Sequence, residues 1–126
     1  MISEKLNRSL FIINNNLTNS GVNWAIIGST NLALQGVEIE PRDIDILTDQ
    51  QGAKTLAKKL KKYIKEPLAY HQTDKFNAYR LVLNVEGIEV EVLGDLNNKI
   101  FQGDLWTEQS RLSAKINIPL GVYISL

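Results

Sequence analysis

Four carboxylates in two short apolar stretches are the side chains of this sequence best placed to do chemistry. Asp43 and Asp45 lie in Pro41-Arg42-Asp43-Ile44-Asp45-Ile46, and Glu89 and Glu91 lie in Ile88-Glu89-Val90-Glu91-Val92. Successive side chains of a strand point to opposite faces, so each acidic pair shares one face and leaves the isoleucines and valines on the other. Asp43 and Asp45, side by side at the core end of a strand, are costly unless something positive sits between them, whereas Glu89 and Glu91 read equally as a solvated strand face. A divalent cation is the simplest candidate, and oxygen-only donors suit magnesium, with manganese as a substitute.

Upstream, the apolar run Trp24-Ala25-Ile26-Ile27 ends in Gly28-Ser29-Thr30, where a strand is expected to give way to a helix. Backbone N–H groups and hydroxyls at such a junction point toward an incoming anion. Glycine at position 28 lets the backbone approach a phosphate with no Cβ in the way. Taken alone, the same residues read as a tight turn with Ser29 as an N-cap; the acidic pair downstream tips the balance toward an anion-binding turn. Arg42 has two open readings, a phosphate contact or a surface charge.

The order apolar strand, Gly-Ser, helix, Asp-x-Asp, then a later strand carboxylate resembles the nucleotidyltransferase superfamily, which includes DNA polymerase beta, the aminoglycoside and lincosamide nucleotidyltransferases and the minimal nucleotidyltransferases. The resemblance covers roughly residues 20 to 95 and rests on Gly28-Ser29 and Asp43-Ile44-Asp45. It implies a magnesium-dependent transfer of a nucleoside monophosphate from a nucleoside triphosphate to an acceptor hydroxyl. Gly28, Ser29, Thr30 and Arg42 would then serve the nucleotide, and Asp43 and Asp45 the metals. Relatives place the third carboxylate just before a Leu-Gly or Leu-Pro turn, which favours Glu91 over Glu89, although aspartate is commoner there. The motif names neither the base nor the acceptor, so ATP, CTP, GTP and UTP all remain open. The alternative on the same scaffold is a non-catalytic nucleotide-binding or toxin–antitoxin-type subunit. Relatives of this type run on into further helices beyond a segment like Ile118–Leu126, so the expectation is either a bare core completed by a homodimer mate or helical partner subunit, or a truncated chain.

Composition narrows the classes further. The chain has 126 residues, with a 44% hydrophobic and 22% charged share, which suits one globular domain spanning 1–126. Lys+Arg and Asp+Glu number 14 each, so net charge indicates neither nucleic acid nor a membrane as partner. With no cysteine there is no disulfide or thiol chemistry, and the expected location is the cytoplasm. The single histidine, His71, excludes a multi-histidine metal site and reads as a loop or strand-edge residue. No P-loop or G-x-G-x-x-G occurs. Asp43-x-Asp45 does not open a calcium loop, because Leu47 and Thr48 stand where a ligand and the required glycine belong.

The elements that must position these residues follow from periodicity. Leu6, Leu10, Ile13 and Leu17 recur at helical spacing behind Ser3-Glu4. Strands are expected at 22–27 and 39–47, a short helix at 30–35, and a long helix from Asp49 through Ile64, closed by Pro67. Its lysines, Lys54, Lys58, Lys59, Lys61, Lys62 and Lys65, read first as a solvated face and second as a patch for an anionic partner. Residues 76–85 and 88–93 form a hairpin about Asn84–Gly87, with further short strands at 100–101, 114–118 and 122–126. Trp24 reads as core, whereas Trp106 lies in less regular sequence and reads as exposed. The whole is an α+β fold, a mixed sheet with helices packed mainly on one side.

Overall fold

The computed structural model describes residues 2–74 and 76–98. Helix α1 spans Glu4–Leu17; the Ser3 side chain caps it by accepting the Leu6 N–H at 3.1 Å. Its buried residues Leu6, Ser9, Ile13 and Leu17 form one stripe, and the Ser9 hydroxyl donates to the Val85 carbonyl at 2.5 Å, tying the helix to the sheet. Strand β1, Trp24–Ile27, runs directly into helix α2, Gly28–Leu34. Strand β2 covers Ile44–Thr48, and Asp49 then caps helix α3, Gln50–Lys59, by accepting the Gly52 N–H at 2.7 Å.

A single 3-10 turn at Lys61–Tyr63 leads into β3, Ile64–Gln72, followed by β4, Phe76–Val85, and β5, Ile88–Asn98. The five strands are ordered β1-β2-β5-β4-β3. Only β2 and β5 run parallel; the other neighbours are antiparallel. This is the mixed sheet expected, and the helical layer lies on one face. Ile44, Ile46, Leu81, Leu83, Val85, Val90 and Val92 turn toward it and pack with Leu6, Ile13, Leu17, Ala53, Leu56 and Leu60. Trp24 joins this core, as its place in the apolar run suggests. The alternate residues of β2 and β5, Asp45, Glu89 and Glu91, therefore face away from the core. Leu81 is fully buried beside Val92, so Leu81→Ala is expected to lower the unfolding free energy by about 2–5 kcal/mol in a urea titration, the range for such a deletion in a closed core.

The first strand starts at Trp24 rather than 22 and the short helix spans Gly28–Leu34 rather than 30–35; three boundaries differ by more. The second strand begins at Ile44 rather than at 39: β1 ends at Ile27, opposite Asp45, so the chain before Ile44 has no partner from β1. Helix α3 stops at Lys59, and Ile64 starts a strand that the sequence pattern hid. Ile64 suits the helical stripe and also pairs with Leu83, while the lysines between carry no stop signal. Pro67 therefore lies within β3, an edge strand, where a missing N–H is tolerated and the register with β4 shifts between Glu66 and Ala69. His71 is on this edge strand too, in keeping with its reading. Finally, β5 continues past Leu93 to Asn98. The hairpin turn is where it was expected: Glu86 and Gly87 both have positive φ, 54° and 88°, and the Gly87 N–H donates to Asn84 Oδ1 at 2.9 Å. The strands expected at 100–101, 114–118 and 122–126, and Trp106, lie outside the described residues.

Candidate functional site

The parallel pairing of β2 with β5 brings the two acidic stretches together. Asp45 is the register partner of Glu91, between the pairs Ile44–Val90 and Ile46–Val92. On its other side Asp45 is opposite Ile27, the last residue of β1. The first carboxylate of the motif, Asp43, lies just outside the strand at an exposed bend, two residues before Asp45. Continuing the same register places Glu89 at the level of Asp43, so the four carboxylates occupy one corner of the sheet face turned away from the core that α1 and α3 cover.

Their charges oppose one another. Asp45 is half-buried, and its pKa is raised from 3.8 to about 6, first by burial and then by Asp43, Glu91 and Glu89 in that order. The glutamates, by contrast, have cationic partners. Lys65 Nζ lies 2.8 Å from Glu89 Oε1 and holds that exposed carboxyl below its ordinary range. Arg80 Nε donates to Glu91 Oε2 at 2.7 Å, and its Nη1 donates to Glu66 Oε1 at 3.0 Å. Among the described residues neither Asp43 nor Asp45 has an ion-pair partner, and of the two Asp45 is the half-buried one, its charge opposed by three acidic neighbours. Among the described residues, no group of three or more His, Cys, Asp or Glu side chains stands in metal-binding geometry. The donor chemistry nevertheless fits a hard cation: all oxygen, negatively charged, with Asp45 disfavoured as an anion first by burial and then by charges a cation would offset.

The turn at the end of β1 packs directly on Asp45. Gly28 has φ +72°, and a Cβ built there would lie 2.7 Å from Asp45 Oδ2. Glycine at this position thus serves both the left-handed backbone and the space the carboxylate occupies. Ser29 is not the N-cap of α2; that position belongs to Ile27, which makes no side-chain capping bond. The first-turn amides consequently have no capping side chain and sit beside the acidic corner. Thr30, expected among the nucleotide contacts, is fully buried, and its hydroxyl donates to the Asp43 carbonyl at 2.6 Å. Its evident work is to hold the backbone that carries Asp43. Arg42 is exposed beside Asp43.

Sequence reasoning missed the cations that answer the glutamates. Lys65 fits the pattern of the long helix, and Arg80 reads as a lone charge inside an apolar strand. A signal did exist: the two-residue turn at Glu86-Gly87 fixes the hairpin register, so Val82 pairs with Glu91 and Arg80 follows on the same face. The lysines of α3 and the 3-10 turn, Lys54, Lys58, Lys59, Lys61 and Lys62, are all exposed, as the solvated-face reading has it.

A mixed sheet with helices on one face, a Gly-Ser turn against the second aspartate of Asp-x-Asp, and a glutamate on the neighbouring parallel strand together define a nucleotidyltransferase-type domain. The chain belongs to the aminoglycoside-2''-adenylyltransferase family, whose model matches residues 9–119. It is also similar to a Thermotoga maritima protein provisionally assigned as a nucleotidyltransferase, whose crystal structure was determined at 1.87 Å: the two share 36% identity with a TM-score of 0.76, over 78% of this chain and 61% of that one. The chain thus spans about three-fifths of the length of that relative. No match is found among curated proteins. No helix among the described residues is long and apolar enough to cross a membrane.

Proposed function

We propose that the protein transfers a nucleoside monophosphate from a nucleoside triphosphate to a hydroxyl of a small acceptor, with Asp43, Asp45 and Glu91 holding divalent magnesium. The observation that carries this reading is the register of Asp45 beside Glu91, with the Gly28 turn packed on Asp45. The name of the family supports ATP as the donor and an aminoglycoside hydroxyl as the first acceptor class to test.

The acceptor oxygen attacks the α-phosphorus in line, a new P–O bond forms, and the bond to the β-phosphate bridging oxygen breaks with departure of pyrophosphate. The acceptor proton leaves to solvent or to a carboxylate. Magnesium, when bound, supplies charge neutralisation for the triphosphate and activation of the acceptor hydroxyl. The chain's own part is positioning and charge. First-turn amides of α2 with the Ser29 hydroxyl receive the phosphates, and Gly28 keeps Asp45 close to them. Thr30 fixes the entry of β2, so that Asp43 and Asp45 present their carboxylates from one side.

The reading is tested by incubating the protein with magnesium, each nucleoside triphosphate in turn and a panel of aminoglycosides, then following pyrophosphate release and acceptor mass. The expected result is an acceptor heavier by one nucleoside monophosphate, with formation lost in Asp43→Asn. A variant that keeps the full rate would contradict it.

A further inference from the structure

We infer that Arg80 is a positioning residue for the proposed metal–nucleotide site, acting through Glu91; the inference rests on the functional reading above. Glu91 has to present a charged carboxylate beside Asp45 and toward Asp43, in a corner where every acidic neighbour opposes that charge. Arg80 supplies the compensation at the one glutamate in register with Asp45. Its Nε donates to Glu91 Oε2 at 2.7 Å while Nη1 donates to Glu66 Oε1 at 3.0 Å. Two carboxylates on two flanking strands thereby hold one planar guanidinium, and the guanidinium in turn fixes Glu91. Its side chain is only 24% exposed and that of Glu91 32%, so the pair is better shielded from solvent than the neighbouring Lys65–Glu89 pair at 53% and 50%. A shielded, forked contact orients a ligand side chain more firmly than a solvated lysine does. Among the described residues Arg80 pairs with Glu91 and Glu66 and not with Asp45, so it does not quench the charge that Asp45 offers a metal.

The test is calorimetric binding of the manganese complex of α,β-methylene-ATP, which cannot undergo transfer, to wild type, Arg80→Ala, Arg80→Lys, Glu91→Gln and the double variant Arg80→Ala/Glu91→Gln. Thermal unfolding of each is followed in parallel. Loss of a residue that orients a metal ligand typically weakens the site by about 10–100-fold, and that is the change expected for Arg80→Ala. Arg80→Lys keeps the charge without the fork and is expected to fall between Arg80→Ala and wild type. Because Arg80 acts through Glu91, the double variant should bind no more weakly than Glu91→Gln alone. Additive losses would show that Arg80 touches the nucleotide directly and would overturn the inference, as would Arg80→Ala binding as well as wild type or better. Should Arg80→Ala not fold, the Arg80→Lys and Glu91→Gln pair carries the same cycle. Wild-type protein that fails to bind the complex overturns the functional reading itself, an outcome distinct from normal binding in Arg80→Ala.

Discussion

Asp45→Asn is expected to make the protein more stable above pH 6 while lowering nucleotide transfer by roughly 10²–10³-fold, the scale of losing one charge-stabilising group in an active site. The stability gain follows from the pKa of Asp45, raised from 3.8 to about 6 by burial and by three neighbouring carboxylates. A raised carboxyl pKa means that folding favours the protonated form. Below about pH 4 the side chain is protonated in both folded and unfolded chains and contributes nothing. Between pH 4 and about 6 the folded protein binds a proton that the unfolded chain has released, so this group makes wild type lose stability as pH rises. Above that window the full cost of the buried anion is present. It would be about 3 kcal/mol if fully realised and about 1–2 kcal/mol after allowance for solvent screening at a half-buried site. Asparagine removes the charge at constant size. Urea unfolding at pH 8 and pH 4 should therefore show the variant ahead at the higher pH and level with wild type at the lower. A variant less stable than wild type at pH 8 would mean that the carboxylate already has a compensating partner.

Gly28→Ala is expected to act on stability and function together, and in the same direction. At φ +72° an alanine pays the left-handed penalty, about 1–2 kcal/mol. Its Cβ would also meet Asp45 Oδ2 at 2.7 Å, a separation that forces the carboxylate aside. The carboxylate is the atom group that the proposed metals need, so a displacement of this size should cost transfer activity about 10²-fold. Asp45→Asn and Gly28→Ala are thus distinguishable by sign: both lose transfer, but one gains stability and the other loses it. Paired measurements of melting temperature and triphosphate binding separate them, and a Gly28→Ala protein with unaltered binding would show that the turn and the carboxylate are independent.

The motif itself was legible in the sequence because its parts are local. Gly28-Ser29 after an apolar run, and aspartates alternating with isoleucines, declare their geometry through period and spacing. The hairpin was legible for the same reason, since Glu86-Gly87 offers the two positive-φ positions its turn requires. What stayed hidden depended on partners distant in sequence. Ile64 fits a helical stripe and a strand equally well, and only its pairing with Leu83 decides between them. Thr30 beside Ser29 reads as a phosphate contact until Asp43, thirteen residues on, is seen to take its hydroxyl. The preference for Glu91 over Glu89 came from a family pattern; the register of β2 against β5, which no local signal reveals, is what sets Glu91 beside Asp45. The balance of charge at the corner, with Arg80 and Lys65 answering two of the four carboxylates, likewise required the sheet order.

The acidic corner beside Gly28 is expected to hold a metal-bound triphosphate. Isothermal titration of the purified protein with each nucleoside triphosphate, with and without magnesium and alongside Asp45→Asn, tests it most directly. Saturable binding that requires magnesium and vanishes in the variant is the predicted result. Binding that is indifferent to magnesium, or that survives intact in Asp45→Asn, would contradict it.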